Sequence, residues 1–339
     1  MPQSGGRYDP PTATGGYGPM SVFPVGAAAS VSAGAAEQIA AVRRSRRAFR
    51  RELEGWLFIS PWVIGFVLFT AVPYLASMFL AFMRWDLGRT IEFVGLRNFA
   101  YLLFEDDLFR LSLWNTLYYT VFHVPGTVMV AFAIAGLLNV QVKGLPIYRT
   151  MFYLPSVTSG VGMALIWIWL LAPNGVINGL MGLAGIQGPN WLFAPEWAMP
   201  ALILMSFWTI GTTMVLFLAG LQGIPLQLYE AVEVDGGGWW ARVRHIAIPM
   251  MTPYIFLSVI LNIIGSFQVF TTALIMTNGG PDNATLFVLL HLYNNAWISY
   301  RMGYAAAMAW VLVAIILTLT LMQFRIAKRW VYYEYGDRD

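Results

Sequence analysis

Cysteine is absent from all 339 residues, which excludes disulfide bonds, thiolate metal ligands and a cysteine nucleophile. Charge is also scarce, because Asp, Glu, Lys and Arg make up 11% of the chain, whereas a soluble domain usually carries about 25%. The net charge is only +3, which gives no indication of a nucleic-acid partner. Hydrophobic residues make up 58% and the mean hydropathy is +0.63. This composition predicts an all-α, polytopic membrane protein.

Sequence motifs of nucleotide binding and hydrolysis are absent as well. The chain contains no G-x-x-x-x-G-K-[ST], H-E-x-x-H or G-x-S-x-G pattern. Its three histidines, His123, His245 and His291, lie in separate segments, and their spacing gives no metal site. We interpret His123, which falls within an apolar run, as a hydrogen-bonded packing residue. The sequence therefore predicts no catalytic residue, no metal site and no cofactor bound by this chain.

Six apolar runs are long enough to cross a bilayer, since about 20 helical residues span the hydrocarbon core. None of them contains Asp, Glu, Lys or Arg. Carriers driven by protons or ions usually keep ionisable groups at mid-membrane, so the uncharged spans argue against a carrier of that class. The six predicted transmembrane helices are Leu57–Met83, Leu113–Leu138, Met151–Leu171, Ala198–Leu221, Tyr254–Thr277 and Met302–Phe324.

The predicted spans form one transmembrane domain at residues 56–326. Residues 1–36 are rich in Gly, Pro, Ser and Ala and are predicted to be a disordered arm. Residues 37–55 carry six arginines among apolar residues and are predicted to form a basic cytoplasmic helix that lies against membrane lipid. Residues 327–339 are predicted to be a cytoplasmic tail.

Lys and Arg are unevenly distributed between the two sets of loops that join the spans. Five of the 20 lie in one set, and the other 15 lie in the opposite set and the termini. Because basic residues are enriched on the cytoplasmic side, this bias predicts that both termini are cytoplasmic. The five in the outer loops are Arg84, Arg89, Arg97, Arg110 and Arg301.

A polar loop at 222–253 separates the fourth and fifth spans and is predicted to be cytoplasmic. Leu226–Val234 is predicted to form a short helix that ends at the three glycines after Asp235, since glycine adopts positive φ without steric cost. A second helix is predicted from Trp239 to Ile248 and is expected to end at Pro249, which lacks the N–H of a helical ladder.

This loop resembles the EAA loop of bacterial ABC importer permeases, in which E-A-A-x-x-D-G-A is followed, after five residues, by F-x-x-I-x-x-P. Three positions depart from the pattern: Val232 replaces the second Ala, Gly237 the Ala after the Gly, and Val243 the Phe. The T-N-G-G-P at 277–281 and the Y-L-P at 153–155 are similar to the sugar branch of this family, which includes maltose and glycerol-phosphate permeases. The matching positions of the loop are Glu230, Ala231, Asp235, Gly236, Ile246 and Pro249.

The resemblance implies a type I ABC importer permease fold in a bacterial cell membrane. It implies that Glu230, Ala231, Asp235, Gly236 and Pro249 belong to a loop that docks onto a separate ABC ATPase dimer, which would hold the ATP and Mg²⁺. It also implies a second, homologous permease subunit and an extracytoplasmic sugar-binding protein as partners.

Uncharged polar and aromatic residues in the fourth and fifth spans are the candidates for substrate contact. Amides and hydroxyls beside aromatic faces suit a sugar, which offers hydroxyls to bond and C–H faces to stack. The resemblance implies that these two helices line the translocation path, although such residues also bond between membrane helices. The candidates are Trp208, Gly211, Thr212, Asn262, Ser266, Gln268 and Phe270.

The sequence therefore predicts a permease subunit that forms half of a pathway for a sugar, such as a disaccharide or another oligosaccharide. One alternative substrate is a glycerol-phosphate ester, whose negative charge would favour Lys or Arg on the path, supplied by the partner subunit. A second alternative is a stand-alone secondary carrier, which would be expected to place charges at mid-membrane.

Overall fold

The structure, a computed structural model, describes residues 52–86, 91–140 and 143–332. The predicted arm at 1–36, the predicted basic helix up to residue 51 and the tail from 333 onward lie outside the described residues. The chain divides into two units after Val72. All contacts given below lie within the larger unit, which begins at Pro73.

Helices make up most of the described residues, as the predicted all-α fold requires. A short antiparallel hairpin, β1 (Met83–Arg84) and β2 (Glu92–Phe93), follows the first helix and pairs Met83 with Phe93. The helices are α1 (Glu52–Leu80), α2 (Arg97–Phe104), α3 (Asp107–Leu138), α4 (Leu145–Val157), α5 (Gly160–Leu170), α6 (Val176–Leu183), α7 (Pro195–Ser206), α8 (Gly211–Gln222), α9 (Leu226–Val234), α10 (Trp239–Ser266), α11 (Thr271–Met276), α12 (Val288–Tyr293) and α13 (Met302–Ala327).

The described residues contain six membrane spans when each bent helix pair is counted as one span. Helices α1, α3, α10 and α13 are each long and apolar enough to cross a bilayer. The pair α4 and α5 is bent by 100°, and the pair α7 and α8 is bent by 46°. The predicted number of spans agrees with this architecture, but two of the predicted spans are not straight helices.

The third predicted span, Met151–Leu171, is broken at Thr158. This residue has extended backbone angles (φ −70°, ψ 141°), so α4 ends before it. The hydroxyl of Ser159 then accepts a hydrogen bond from the N–H of Gly162 at 3.2 Å and caps the start of α5. Hydropathy does not reveal this break, because the residues on both sides of it are apolar.

The fifth predicted span, Tyr254–Thr277, is not one continuous helix, because its second half is broken. Helix α10 ends at Ser266, and Phe270 has non-helical backbone angles (φ −139°, ψ −64°) before α11 begins. The short α11 then packs against α5, a contact between distant segments that local sequence does not specify.

Pro249 does not end a helix, in contrast to the prediction. The chain from Trp239 to Ser266 is one continuous helix, and Val243–Ala247 within it is a π-helical segment. A π-helical turn widens the helix just before the proline, and such adjustments let membrane helices accommodate proline.

Helix α3 lies at the centre of the larger unit and packs against α8 and α10. The core between these three helices contains Ala131, Ala135, Met214, Phe217 and Met251, each with no exposed surface. The two alanines allow close approach of the neighbouring helices, as small residues do in membrane bundles.

A buried carboxylate fixes the first turn of α3. Asp106 accepts hydrogen bonds from the N–H of Phe109 at 2.9 Å, from His291 Nε2 at 3.1 Å and from the hydroxyl of Tyr304. Burial alone raises the pKa of this carboxyl, but the hydrogen bonds from Tyr304, His291 and Phe109 outweigh burial and hold the pKa of Asp106 below its usual value. The carboxylate therefore joins α3 to α12 and α13.

Candidate functional site

The polar loop between α8 and α10 begins with the predicted short helix. Helix α9 runs from Leu226 to Val234, as predicted, and Asp235 is its C-cap. Gly236 follows with φ of +76°, a left-handed conformation that costs a residue with a Cβ about 1–2 kcal/mol. The glycine therefore permits the turn that joins α9 to α10.

Four of the predicted coupling residues form an exposed surface at the end of α9. Glu230, Ala231, Asp235 and Gly236 are all exposed, and we call these four residues the coupling surface. Val234, which lies among them, is 87% exposed. Exposed apolar and acidic groups on one short helix are typical of a surface that contacts another protein. Pro249, the fifth predicted coupling residue, is half-buried within α10.

The turn after α9 is held by contacts with the start of α10. Glu233 Oε1 lies 3.6 Å from Arg242 Nη2, but such an exposed ion pair contributes only about 0–1 kcal/mol. A Cβ added at Gly237 would lie 2.4 Å from Cγ1 of Val232. Val232 and Gly237, which both depart from the family pattern, therefore lie in contact. Valine at position 232 is larger than the alanine of the pattern, and glycine at position 237 leaves room for it.

A cavity of about 360 Å³ separates α9 from the ends of α3 and α8. Tyr229 lines it from α9, and Arg149 lines it from α4. Arg149 Nη2 donates to the carbonyl of Leu138 at 3.3 Å, near the end of α3. Burial raises the pKa of the Tyr229 phenol above its usual value, so this hydroxyl stays uncharged at neutral pH.

A second cavity, of about 310 Å³, lies among the membrane-spanning helices, and we call it the membrane cavity. No Asp, Glu, Lys or Arg lines it, as expected from the uncharged spans. No group of three or more His, Asp or Glu side chains within 52–86, 91–140 and 143–332 could hold a metal ion. The polar residues that line the membrane cavity are Tyr119, His123, Thr158, Ser206, Thr209, Ser266 and Thr272.

Three breaks between helices meet at the membrane cavity. Thr158 marks the break between α4 and α5, and Thr209 lies in the 3₁₀ turn Phe207–Thr209 between α7 and α8. Thr272 lies in the first turn of α11, after the end of α10. Non-helical backbone at membrane depth is tolerated where it lines a cavity, and broken helices form substrate sites in other transporters. The membrane cavity therefore has the features of a binding site for an uncharged polar solute.

Ser266 and Asn262, the predicted polar pair of the fifth span, differ in their positions. Ser266 lines the membrane cavity, and its hydroxyl donates to the carbonyl of Asn262 at 2.7 Å. Asn262 is half-buried one turn earlier, beside His123. Its amide donates to the carbonyl and the hydroxyl of Ser258 at 2.8 and 3.2 Å.

The two aromatic candidates pack against other aromatic rings outside the lining of the membrane cavity. Phe270 packs against Tyr293 with ring centroids 4.9 Å apart, and Trp208 makes an edge-to-face contact with Trp167 at 5.9 Å. Contact of Phe270 and Trp208 with a substrate stays a prediction.

The remaining three candidates also lie outside this lining. Gly211 packs closely on α4, because a Cβ there would lie 2.7 Å from the carbonyl oxygen of Phe152. Thr212 is exposed on α8, and Gln268 is exposed in the turn after α10. Their role on a translocation path likewise stays a prediction.

His123 lines the membrane cavity, a position that we did not predict from the sequence. It is hydrogen-bonded, as predicted, since Nδ1 lies 2.7 Å from the hydroxyl of Ser206. A signal was present in the second span, where Thr116, Thr120, His123 and Thr127 recur at intervals of three or four residues and so share one helix face. A polar stripe on a membrane helix turns away from lipid, and here the three threonines are buried.

Known ABC transporter permeases match most of the chain. It is 41% identical over 298 residues to the probable ABC transporter permease protein YesP of Bacillus subtilis strain 168, a match that covers 87% of this chain and 96% of YesP. It is 33% identical over 298 residues to the lactose transport system permease protein LacF of Rhizobium radiobacter, covering 84% of this chain and 98% of LacF.

The fold also matches a solved structure. A chain of the crystal structure of a bacterial alginate ABC transporter, in complex with an alginate pentasaccharide-bound periplasmic protein, superposes with a TM-score of 0.74. The two chains are 22% identical, and the match covers 84% of this chain and 96% of that chain. This likeness confirms the predicted type I importer fold.

Residues 140–332 match the model of the family described as "binding-protein-dependent transport system inner membrane component". This region contains the coupling surface and most of the membrane cavity. The chain therefore belongs to this family and is a multi-pass permease subunit of an ABC importer, a transport protein rather than an enzyme.

Proposed function

We propose that this chain pairs with a second, homologous permease subunit in an ATP-driven importer of a sugar, such as a disaccharide or another oligosaccharide. An extracytoplasmic binding protein delivers the sugar, and both termini of the chain are cytoplasmic. An ABC ATPase dimer docks on the coupling surface and holds the ATP and Mg²⁺. Closure of that dimer moves α9, and the movement opens the membrane cavity to the exterior.

The observation that carries the proposal is the exposed turn Glu230–Gly236 between two membrane spans. Ala231 offers a small side chain that fits into a groove of a partner, and Glu230 and Asp235 flank it with negative charge. Gly236 allows the sharp turn through its positive φ. The cavity bordered by Arg149 and Tyr229 lies between α9 and the spans, where a movement of α9 would be transmitted.

The chemistry of the membrane cavity supports a neutral, hydroxyl-rich substrate. Its lining offers hydroxyls and an imidazole beside the ring of Tyr119, a combination that suits a sugar. The name of LacF refers to lactose, which is an uncharged disaccharide. A glycerol-phosphate ester fits less well, because a phosphate favours Arg or Lys and none lines this cavity.

ATP hydrolysis by the reconstituted importer tests this proposal. The chain is assembled in lipid with its partner permease and its ATPase, and hydrolysis is measured with the binding protein plus lactose, arabinotriose, alginate trisaccharide or glycerol 3-phosphate. Glu230→Ala and Gly236→Pro are compared with the parent. Proline cannot adopt φ of +76°, so Gly236→Pro should unfold the turn.

A matched control is Glu196→Ala, which removes an exposed glutamate from the first turn of α7 instead of α9. We expect hydrolysis stimulated by a sugar in the parent and in this control, and strongly reduced in both α9 variants. Unchanged hydrolysis in Glu230→Ala and Gly236→Pro would mean that the loop is only a connector. Stimulation by glycerol 3-phosphate alone would replace the sugar with the ester as substrate.

A further inference from the structure

We infer that the protein has a second binding site, which takes a phospholipid headgroup with both a phosphate and a primary ammonium group, as in phosphatidylethanolamine. The site is a cavity of about 340 Å³ between the β-hairpin, α2 and the start of α13, and we call it the outer cavity. Its volume is within the range of small-molecule sites, about 300–1,000 Å³. The charged side chains that line it are Arg84, Asp86, Arg97, Glu105 and Arg301.

The outer cavity lies at the membrane surface opposite the coupling surface. Helix α2 connects the end of one span at Leu80 to the start of the next at Asp107, so it lies where both spans leave the bilayer. Three spans separate α2 from α9, namely α3, the pair α4 and α5, and the pair α7 and α8. An odd number of spans places the two short helices on opposite faces. In the orientation proposed above, the outer cavity is therefore extracytoplasmic.

Arginine is uncommon in short loops on this side of a membrane. Three of the five basic residues of the predicted outer loops nevertheless line this one cavity: Arg84, Arg97 and Arg301. Arg84 has a partner, since its Nη1 atom lies 3.3 Å from Oε2 of Glu92. Among the described residues, no carboxylate forms an ion pair with Arg97 or Arg301. Two guanidinium groups are therefore available to an anionic group.

Arg301 is held in position by aromatic rings. Its Cζ atom lies 4.6 Å from the ring centroid of Tyr304 and 5.3 Å from that of Tyr101, and both tyrosines line the outer cavity. Stacking uses the flat face of a guanidinium and leaves its N–H edge for oxygen ligands. A side chain fixed in this way loses little conformational freedom when a ligand binds.

Two carboxylates share the cavity with these arginines. Asp86 and Arg301 are partners in an isolated antiparallel bridge between their backbones, yet their side chains form no ion pair. Glu105 is exposed at the C-cap of α2. A ligand with only negative charge would be repelled by Asp86 and Glu105, and one with only positive charge by the arginines. A zwitterion satisfies both sets of groups.

An exposed apolar strip borders the charged face of α2. Arg97, Tyr101 and Glu105 recur at intervals of four residues, so they share the helix face that lines the cavity. Phe104 is 76% exposed and lies seven residues, or about two turns, from Arg97 on the same side, and Leu103 beside it is 50% exposed. A helix at a membrane surface covers such a strip with acyl chains, while its charged face meets headgroups. This combination favours a phospholipid over a free sugar, which has no acyl chain.

Phosphatidylethanolamine supplies the partners that these side chains need. Its phosphate oxygens accept hydrogen bonds from Arg97 and Arg301, and its ammonium group donates to Asp86 and Glu105. Phosphatidylglycerol brings a phosphate without an ammonium group, and the trimethylammonium group of phosphatidylcholine has no N–H to donate. The bound headgroup joins α2 to the start of α13.

Retention of lipid by the intact importer tests this inference. The chain is assembled with its partner permease and its ATPase in nanodiscs that contain equal amounts of phosphatidylethanolamine, phosphatidylglycerol and phosphatidylcholine with the same acyl chains. Native mass spectrometry of the released importer then counts the lipids that stay bound. We expect phosphatidylethanolamine to be retained about fivefold over each of the other two, because only its headgroup makes charge-assisted hydrogen bonds to both sets of groups. Equal retention of the three lipids would overturn the inference.

Two variants assign the retained lipid to the outer cavity. Arg301→Gln removes a phosphate partner and should lower retention of phosphatidylethanolamine about fivefold. Asp86→Asn removes an ammonium partner at nearly constant size, so it should lower retention of phosphatidylethanolamine and raise that of phosphatidylglycerol, whose negative headgroup is repelled less. The matched control is Arg110→Gln, which removes an exposed arginine from the first turn of α3, where it pairs with Asp107. This control should leave the retention of all three lipids unchanged.

Unchanged retention in both cavity variants would refute the site. Lower affinity for the binding protein in Arg301→Gln but not in Arg110→Gln, with lipid retention unchanged, would assign the cavity to that protein instead of a lipid. Arg301 also stacks on two rings, so Arg301→Gln could fail to assemble for structural reasons. Asp86→Asn then decides, because an exchange of phosphatidylethanolamine for phosphatidylglycerol requires contact between the carboxylate and the headgroup, and its absence would overturn the inference.

Discussion

Three consecutive glycines in the turn after α9 differ in what an added methyl group would meet, and Gly237→Ala is expected to be the most damaging alanine substitution among them. At Gly237 the new Cβ would lie 2.4 Å from Cγ1 of Val232 and 2.9 Å from its carbonyl oxygen. At Gly236 the added Cβ has open space, but φ is +76°. At Gly238 it has open space and an ordinary extended backbone, with φ −78° and ψ −174°.

The expected magnitudes follow from these three geometries. Forcing a methyl group into the contact with Val232 costs about 1–3 kcal/mol, as overpacking usually does. The left-handed backbone at Gly236 costs alanine about 1–2 kcal/mol. Alanine at Gly238 should be neutral or stabilise the turn by up to about 1 kcal/mol, because it restricts only the unfolded chain.

The affinity of the ATPase for the reconstituted permease pair measures this effect, since the docking proposed above would require the native turn. Gly237→Ala should raise the dissociation constant by about 5- to 150-fold, and Gly238→Ala should leave it within about twofold. Val232→Ala, combined with Gly237→Ala, restores the residues of the family pattern and removes the contact with Cγ1. We expect this double variant to recover part of the affinity, because the contact with the carbonyl remains. Equal affinities of Gly237→Ala and Gly238→Ala, or no recovery in the double variant, would refute the steric argument.

Three further predictions concern the body of the protein. Gly303→Ala should lower the melting temperature and separate the β-hairpin from α13. The added Cβ would lie 1.9 Å from the backbone oxygen of Met83, which cannot rotate away. An unchanged melting curve would contradict this. Gly126→Ala should be milder in the same assay, since the added Cβ meets the side-chain ring of Phe207 rather than backbone. Asp106→Asn should reduce the free energy of unfolding by about 2 kcal/mol at neutral pH, through weaker hydrogen bonds to a buried group. Because the folded pKa of Asp106 lies below the usual pKa of an aspartate, the parent keeps this advantage above the usual pKa and loses it as the pH falls through the folded pKa. A difference between parent and variant that did not shrink in acid would argue against the carboxylate.

Local chemistry was sufficient to predict the coupling turn. The end of α9 follows from Asp235 and the three glycines after it, which are consecutive in the chain. The number of spans follows from hydropathy, which is summed over neighbouring residues and needs no knowledge of the fold. The absence of charge from the spans is likewise visible in the sequence, and no Asp, Glu, Lys or Arg lines the membrane cavity.

Contacts between residues that are distant in the chain could not be predicted from the sequence. Asp106 meets Tyr304 across 198 residues, and neither residue type nor spacing indicates that contact. Pro249 was predicted to end a helix by the general rule for proline, but the π-helical turn before it keeps α10 continuous.

The sequence by itself determined the all-α membrane class, the number of spans and the turn of the coupling surface, because each depends on residues that are neighbours in the chain. The tertiary structure alone decided that the breaks near Thr158, Thr209 and Thr272 meet at one cavity. In a span that is apolar on every side, hydrophobicity does not select the face that turns inward. That choice is made by packing between helices and by the need to pair the buried polar groups.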